Sequence, residues 1–144
     1  MSLRKIRFSM LLGIISIPFS CVGEILPWGD KYERLEVSNC QKINCLFRTS
    51  PGDMQGSYMW VESFFPVKLE SIGKLNRIYV GQEVGNIEVL RVPIEGYVSG
   101  DDAKYISGFR VEKKNLKQVF IVVIYGAEDG RPKKFKIENF QSLL

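Results

Sequence analysis

The spacing of apolar and polar positions along the chain predicts a domain built mainly of β-strands. Segments 32–38 and 133–140 alternate apolar and polar residues with a period of two, the pattern of a strand with one buried face. Segment 57–65 is rich in aromatic and β-branched residues and is also predicted to be a strand. A hairpin of 77–80 and 86–92 and a further strand at 105–113 complete the predicted strands. Only short helical turns are predicted, within 66–75 and 138–144. The pattern favours an all-β or β-dominated α+β domain, a single small barrel or sandwich of mainly antiparallel strands.

One further segment, 117–125 (KQVFIVVIY), is apolar at both odd and even positions from Val119 to Tyr125. A strand that is apolar on both faces lies centrally in a sheet, so we expect a layer of structure on each side of it. Turn-forming residues predict a turn at 81–83 and a loop at 49–56.

The first 23 residues have the pattern of a signal peptide. Arg4, Lys5 and Arg7 form a positive region, and 8–17 is an apolar run of ten residues. Such a run fits a signal peptide and is shorter than the roughly 18–20 apolar residues that span a bilayer. We therefore predict a signal peptide at 1–23 and a single β-rich domain at 24–144.

More than one processing route is compatible with this leader. Cleavage after Gly23 fits the small-x-small pattern of a signal peptidase site, with Cys21 as the other small residue. The alternatives are lipidation of Cys21, as in a bacterial lipoprotein, and a retained anchor. We expect an exported protein, periplasmic or secreted, that associates with a membrane only if Cys21 is lipidated.

The two remaining cysteines, Cys40 and Cys45, are predicted to form a disulfide in an oxidising compartment. Five steps of extended chain would separate their Cα atoms by about 16 Å. A disulfide tolerates at most about 7 Å, so the segment must turn back on itself. Closing so short a loop contributes only about 2 kcal/mol, and reduction is expected to loosen the loop without unfolding the domain.

The net charge of the full chain, +4, comes mostly from the leader. Without Arg4, Lys5 and Arg7, seventeen basic residues face sixteen acidic ones, a net charge of +1. So small an excess gives no concentrated positive surface, and nucleic-acid binding is not expected.

The sequence contains no histidine, which excludes Ser–His–Asp and Cys–His catalysis within this chain. Two cysteines are too few for an ordinary zinc site, and we predict neither a metal nor a cofactor. Ser71 and Lys74 form an S-x-x-K pattern, which we interpret as a surface turn because Gly73 weakens the helix that this catalytic motif needs. The acidic pairs at 101–102 and 128–129 are interpreted as solvated turn residues. We therefore do not expect an enzyme.

Aromatic residues give the first candidate for partner binding. Tyr58, Trp60 and Phe64 fall on one face of their predicted strand. Both faces of this strand are apolar enough to be core, or the face with Trp60 is partly exposed and anchors a partner, since Trp and Tyr are enriched at binding hot spots.

The disulfide loop gives the second candidate, with Lys42 and Ile43 expected at its tip. A rigid protruding loop loses little entropy when it binds. This C-x4-C loop, Cys40 to Cys45, resembles the loop of the inhibitor-of-vertebrate-lysozyme family. The resemblance covers six residues, and the family's loop carries a histidine that this one lacks. It implies a loop that is inserted into the cleft of an enzyme.

These features predict a small exported binding protein, an inhibitor or immunity protein that acts on an envelope enzyme or toxin by protein–protein contact. The alternatives are a β-barrel carrier of lipid or another small ligand and a structural component of an envelope assembly. A carrier requires a hollow interior, and a pocket of several hundred Å³ lined by Phe and Val would favour it.

Overall fold

The chain folds into two β-sheets that share an apolar core. We describe a computed structural model that covers residues 32–50, 56–101, 103–126 and 131–144. In these ranges the strands β1 to β10 span Glu33–Glu36, Leu46–Thr49, Tyr58–Pro66, Lys68–Leu69, Gly73–Val84, Ile87–Pro93, Gly96–Val98, Lys104–Glu112, Val119–Tyr125 and Lys133–Glu138. Short 3-10 helices span Val37–Ile43, Lys113–Asn115 and Phe140–Leu143.

The two sheets differ in the number of strands that they contain. The six-stranded sheet has the order β1, β10, β9, β5 and β4, and β6 also pairs with β5. The four-stranded sheet has the order β2, β3, β8 and β7. Only β1 and β10 pair in parallel, and the other described pairs are antiparallel. The predicted β-dominated fold of mainly antiparallel strands is confirmed.

The core lies between the inner faces of the two sheets. Alternation along β3 buries Met59, Val61 and Phe65 completely, and the inner positions of β9 join the same cluster from the other sheet. Phe140, in the last 3-10 helix, contacts Phe47 and Phe109 edge to face, with ring centroids 5.1 and 5.8 Å apart. Such aromatic pairs add about 0.5–1.5 kcal/mol to the burial of their surfaces.

Strand β9 is buried on both faces, as its sequence predicts. Its outer positions, facing away from the core, are Phe120, Val122 and Ile124. Val122 lies in register between Tyr79 of β5 and Lys136 of β10. Directly opposite side chains on neighbouring strands are in contact distance, so long side chains of adjacent strands flank the outer apolar positions.

The hairpin of β5 and β6 turns later than predicted. The chain continues in β5 through 81–83 and turns at Gly85 and Asn86, whose φ angles are +58° and +66°. Two successive residues with positive φ are the signature of a two-residue type I′ hairpin. The predicted turn relied on Gly81, which is instead a strand glycine over which the ring of Phe120 lies.

Other local predictions had mixed outcomes. Segment 66–75 contains β4, a turn and the start of β5, and not a helical turn, whereas the helical turn predicted at the C-terminal end is the 3-10 helix Phe140–Leu143. The sequence pattern missed the short strands β2, β4 and β7. The predicted leader 1–23, Cys21 and most of the loop 49–56 lie outside the described residues. Among the helices of the described ranges, none has the length and apolar character needed to cross a membrane.

Candidate protein-binding face

An apolar row crosses the outer face of the four-stranded sheet. Leu46, Phe64, Ile106 and Tyr97 lie in register, one on each of β2, β3, β8 and β7. Leu46 is 54% exposed and Tyr97 is 65% exposed, whereas Phe64 and Ile106 are half-buried. We call these four residues the outer row. Large apolar side chains that are exposed side by side mark interaction surfaces more often than isolated ones do.

Trp60 lies beside the outer row on the same face and is half-buried. A Cβ atom at Gly108 of β8 would overlap the indole ring, so the glycine allows Trp60 to lie flat against the neighbouring strand. Trp60, Gly108, Ile106 and Tyr97 line a shallow depression of about 210 Å³. The ring therefore lies against β8 and presents one side to solvent.

Two charged residues of this face, Arg48 and Glu62, form an ion pair. Nε of Arg48 lies 2.8 Å from Oε2 of Glu62, and the guanidinium of Arg48 lies 4.6 Å from the ring centroid of Phe64. Both charges are partly exposed, so the pair contributes little to stability. It does leave the surface beside the outer row without a strong charge of one sign.

Tyr58 marks the far end of the face and is 40% exposed. Its hydroxyl donates a hydrogen bond to Oε1 of Glu112 at 2.9 Å, and the guanidinium of Arg110 lies 4.3 Å from its ring centroid. The hydrogen bond to Glu112 and the charge of that carboxylate raise the pKa of Tyr58. Hydrogen bonds from Lys114 and then Tyr58 lower the pKa of Glu112.

The sequence therefore anticipated one part of this face. Tyr58, Trp60 and Phe64 share the outer side of β3, as their spacing predicts, and all three are at least partly exposed. Leu46, Ile106 and Tyr97 were missed. Leu46 and Tyr97 sit on strands of only four and three residues, too short to show a period of two.

The Cys40–Cys45 disulfide is present, with the two Cα atoms 5.3 Å apart. The chain turns back through the 3-10 helix Val37–Ile43, and Asn44 takes a left-handed conformation with φ of +55°. The backbone N–H of Cys45 then donates to the carbonyl of Cys40 at 3.3 Å. The predicted bridge and reversal of the chain are confirmed.

The expected tip of the loop needs a correction. Lys42 is exposed, but Ile43 is only 6% exposed and belongs to the core cluster. In a 3-10 helix, residues three apart lie on the same side, so Ile43 points into the core with Cys40. Ile43 therefore offers no accessible contact area, and its truncation would remove core packing.

The disulfide loop ends beside the apolar row. Nζ of Lys104, at the start of β8, donates to the carbonyl of Asn44 at 2.6 Å. Leu46 of the outer row follows Cys45 directly. The end of the loop and the outer row thus lie at the same end of the four-stranded sheet, and Lys42 is the exposed cation of this loop.

The other candidate catalytic and metal-binding residues are not brought together in the described residues. Ser71 lies in a turn and Lys74 in β5, so the helical spacing of the S-x-x-K motif is not formed. No group of three or more His, Cys, Asp or Glu side chains is placed to hold a metal ion within the described ranges. Asp102, Glu128 and Asp129 lie outside them.

Comparisons with protein-family models, with curated proteins and with solved structures each found no match to this chain. Its function is therefore inferred from its own residues and contacts.

Proposed function

We propose that this chain is a small exported binding protein that inhibits or neutralises an enzyme or toxin of the cell envelope by protein–protein contact. The observation that carries the proposal is the outer row together with Trp60 on the four-stranded sheet. These five side chains combine aromatic rings, exposed apolar area and a shallow depression on one rigid sheet.

The chemistry of this face suits the centre of a protein interface. Interface centres are depleted in charge and enriched in Trp, Tyr and Phe, and their rims are polar. Here Trp60 and Tyr97 stand near the centre, and the paired Arg48 and Glu62 lie beside them. Because Gly108 lets Trp60 rest against the sheet, the ring loses little side-chain freedom on binding.

Lys42 is a candidate for the rim of the same interface. It is exposed on the disulfide loop, whose end is fixed to β8 through Lys104 and Asn44. A cation on a rigid loop suits an acidic cleft in a partner and mainly increases the rate of association. We expect Lys42→Ala to weaken binding by a few-fold, which is much less than the loss of Trp60.

Site-specific cross-linking tests this proposal. The change Tyr97→p-benzoylphenylalanine places a photoreactive group on the face, and the same change at Arg131, an exposed residue before β10, is the matched control. We expect one envelope protein to be cross-linked from position 97 and not from position 131. The purified partner should then lose about 30-fold in affinity with Trp60→Ala, the loss expected when a hot spot of about 2 kcal/mol is truncated.

Two results would contradict the proposal. The first is equal cross-linking from positions 97 and 131. The second is full affinity of a folded Trp60→Ala, Tyr97→Ala double variant. The partner's own activity in the complex separates the inhibitor from a structural role, because a structural component would bind without lowering it.

A carrier that holds its ligand in the core is not favoured by the packing. The inner positions of β3 and β9 are filled by fully buried side chains, among them Phe65 and Ile121. An open volume of about 580 Å³ lies instead at one end, where the two sheets meet.

A further inference from the structure

An open cavity of about 580 Å³ lies where the edges of the two sheets meet. Its apolar lining comes from both sheets and from the link between β6 and β7, and includes Val67, Leu75, Ile94, Val98 and Tyr105. Sites for small molecules have volumes of roughly 300–1,000 Å³, a mostly apolar lining and a few polar groups. This cavity meets all three conditions.

Hydrogen bonds hold the walls of the cavity in place. The backbone N–H of Leu75 donates to the carbonyl of Val67 at 2.9 Å, and that of Ile94 donates to Ile78 at 3.0 Å. The backbone N–H of Gly96 donates to the hydroxyl oxygen of Tyr105 at 2.6 Å. These bonds tie Val67 and Ile94 to β5 and tie β7 to β8, so the space already exists and a ligand would not have to open it.

The charged residues of the lining are Lys74, Arg77 and Glu95. All three are exposed, and none takes part in an ion pair with another described residue. A register shift between Leu75 and Arg77 leaves an extra residue in β5 at this point, and such bulges redirect side chains at sheet edges. Two cations and one carboxylate give the cavity an excess of one positive charge.

We propose that this cavity binds a small amphipathic anion, such as a short-chain acyl carboxylate. Its apolar body packs against Val67, Ile94 and Val98, and its carboxylate lies near Lys74 and Arg77. Glu95 offsets one of the two cations, so the net attraction on a bound anion is that of a single positive charge.

This site faces away from the outer row, although Glu95 lines both the cavity and the depression beside Trp60. Tyr97 and Val98 are neighbours on β7, and successive side chains of a strand point to opposite faces. Tyr97 belongs to the outer row, whereas Val98 lines the cavity. Variants of Lys74 and Arg77 are expected to leave partner binding unchanged, and variants of Trp60 and Tyr97 are expected to leave ligand binding unchanged.

Calorimetric titration of the disulfide-bonded protein with decanoate, below its micelle concentration, tests the proposal. Decyltrimethylammonium carries an alkyl chain of similar length with the opposite charge. We expect one decanoate per chain, bound about tenfold more tightly than the cation, the difference that about 1.4 kcal/mol of head-group interaction provides. Glu95→Gln should tighten decanoate binding, because it removes the carboxylate that offsets one of the two cations.

Charge variants locate the head group. Lys74→Ala and Arg77→Ala should each weaken decanoate binding about fivefold, the upper range for a solvent-exposed ion pair. Lys68→Ala is the matched control, because Lys68 is an exposed lysine of β4 that does not line the cavity. Lys68→Ala should bind decanoate as the unmodified chain does.

Filling the cavity tests where the alkyl chain of decanoate binds. Val98 is an exposed residue, so Val98→Trp fills the opening without disturbing the core and should abolish decanoate binding. Methyl signals of Val67 and Ile94 should shift with decanoate in the unmodified protein, which keeps the test decisive even if Val98→Trp fails to fold. Equal binding of anion and cation, unchanged affinity in both Lys74→Ala and Arg77→Ala, or unshifted methyl signals would each overturn the proposal.

Discussion

On the outer face of each sheet an aromatic ring lies over a strand glycine, but the two rings differ in how far they are exposed to solvent. On the six-stranded sheet the ring of Phe120 lies over Gly81 of the neighbouring strand, and on the four-stranded sheet Trp60 lies over Gly108. Phe120 is 1% exposed, whereas Trp60 is half-buried. An aromatic ring over a strand glycine is thus compatible with either a sealed surface or an open one.

The surroundings of Phe120 explain why its face is sealed. Nζ of Lys136 lies 4.4 Å from the ring centroid, and the guanidinium of Arg91 lies 5.9 Å from it. Lys136 is paired with Glu83 at 3.2 Å and with Glu138 at 3.3 Å. Cations over an aromatic ring are attracted to it, and carboxylates around them offset the loss of hydration.

Arg91 keeps its charge in this setting. Burial lowers the pKa of its guanidinium, but hydrogen bonds to Glu88 and Tyr32 raise the pKa by more, so that it lies above its ordinary value. Nη2 of Arg91 donates to Oε2 of Glu88 at 2.6 Å and to the hydroxyl of Tyr32 at 3.1 Å. The ring of Phe120 therefore lies beneath permanent, paired charges.

Trp60 has different neighbours. On its face, in the part of the chain that the structure describes, the arginines lie over Phe64 and Tyr58. The ring of Trp60 is left with one open side. The comparison teaches that the placement of cations decides whether an aromatic ring on an outer face serves stability or remains available for recognition.

The largest expected difference comes from truncating the two rings. Phe120→Ala should lower the free energy of unfolding by about 3–5 kcal/mol, because it leaves a cavity under buried charges. Trp60→Ala should lower it by less than half as much, since the ring is already partly hydrated. Urea denaturation measures both, with Phe120→Leu as a milder variant that remains folded. An equal loss in the two alanine variants would show that Trp60 is structural.

The second-largest expected difference in stability comes from removing one cation from each outer face. Lys136→Met should lower the free energy of unfolding by about 1.5–3 kcal/mol, because Glu83 and Glu138 lose a charged hydrogen-bonding partner. Arg48→Met removes the pair with Glu62 on the exposed face and should change stability by less than about 1 kcal/mol. Urea denaturation at low and moderate salt measures the stability of both variants. Equal losses of stability in Lys136→Met and Arg48→Met would contradict the distinction between the two faces.

The two glycines give a smaller contrast. Gly81→Ala forces a methyl group against a ring that has no room to move, and should lower the free energy of unfolding by about 1–3 kcal/mol. At Gly108 the indole of Trp60 can swing toward solvent, so Gly108→Ala should leave stability nearly unchanged. It should nevertheless weaken partner binding, because Trp60 is displaced. Full partner affinity in Gly108→Ala would argue against a role for the flat orientation of the ring.

The smallest effect concerns ionisation of tyrosines. Tyr58 should ionise above the usual pKa of about 10, because its hydroxyl donates to Glu112. The stability from this bond is complete below the unfolded pKa and is lost as pH rises through the folded one. Glu112→Gln should return the pKa of Tyr58 toward its ordinary value, as followed by absorbance at alkaline pH. Tyr125, whose pKa is raised by burial, should not respond to this change.

The sequence predicts what depends on a single strand and misses what depends on two. The period of two in β3 separates Met59, Val61 and Phe65 from the outer residues without knowledge of any partner strand. By contrast, Gly81 is a strand residue only because Phe120 arrives from β9, and sequence alone assigns a turn there. Tyr97 gains its place in the outer row only by pairing with Ile106.

The disulfide loop shows the same limit within one segment. The distance between Cys40 and Cys45 requires the chain to reverse, which the sequence predicts correctly. The sequence does not show which side of this reversed segment faces the core. The 3-10 helix decides that question and buries Ile43 while Lys42 remains exposed.

The parallel pairing of β1 and β10 has a consequence for how the domain folds. Leu35 and Ile137 lie side by side in this pair although they are about 100 residues apart along the chain. Contacts between distant parts of a chain form late and slow the overall rate of folding. The six-stranded sheet gains its β1 edge only once β10 has been added. We expect refolding in milliseconds to seconds, and a chain that lacks β10 would expose one edge of β9 to other strands.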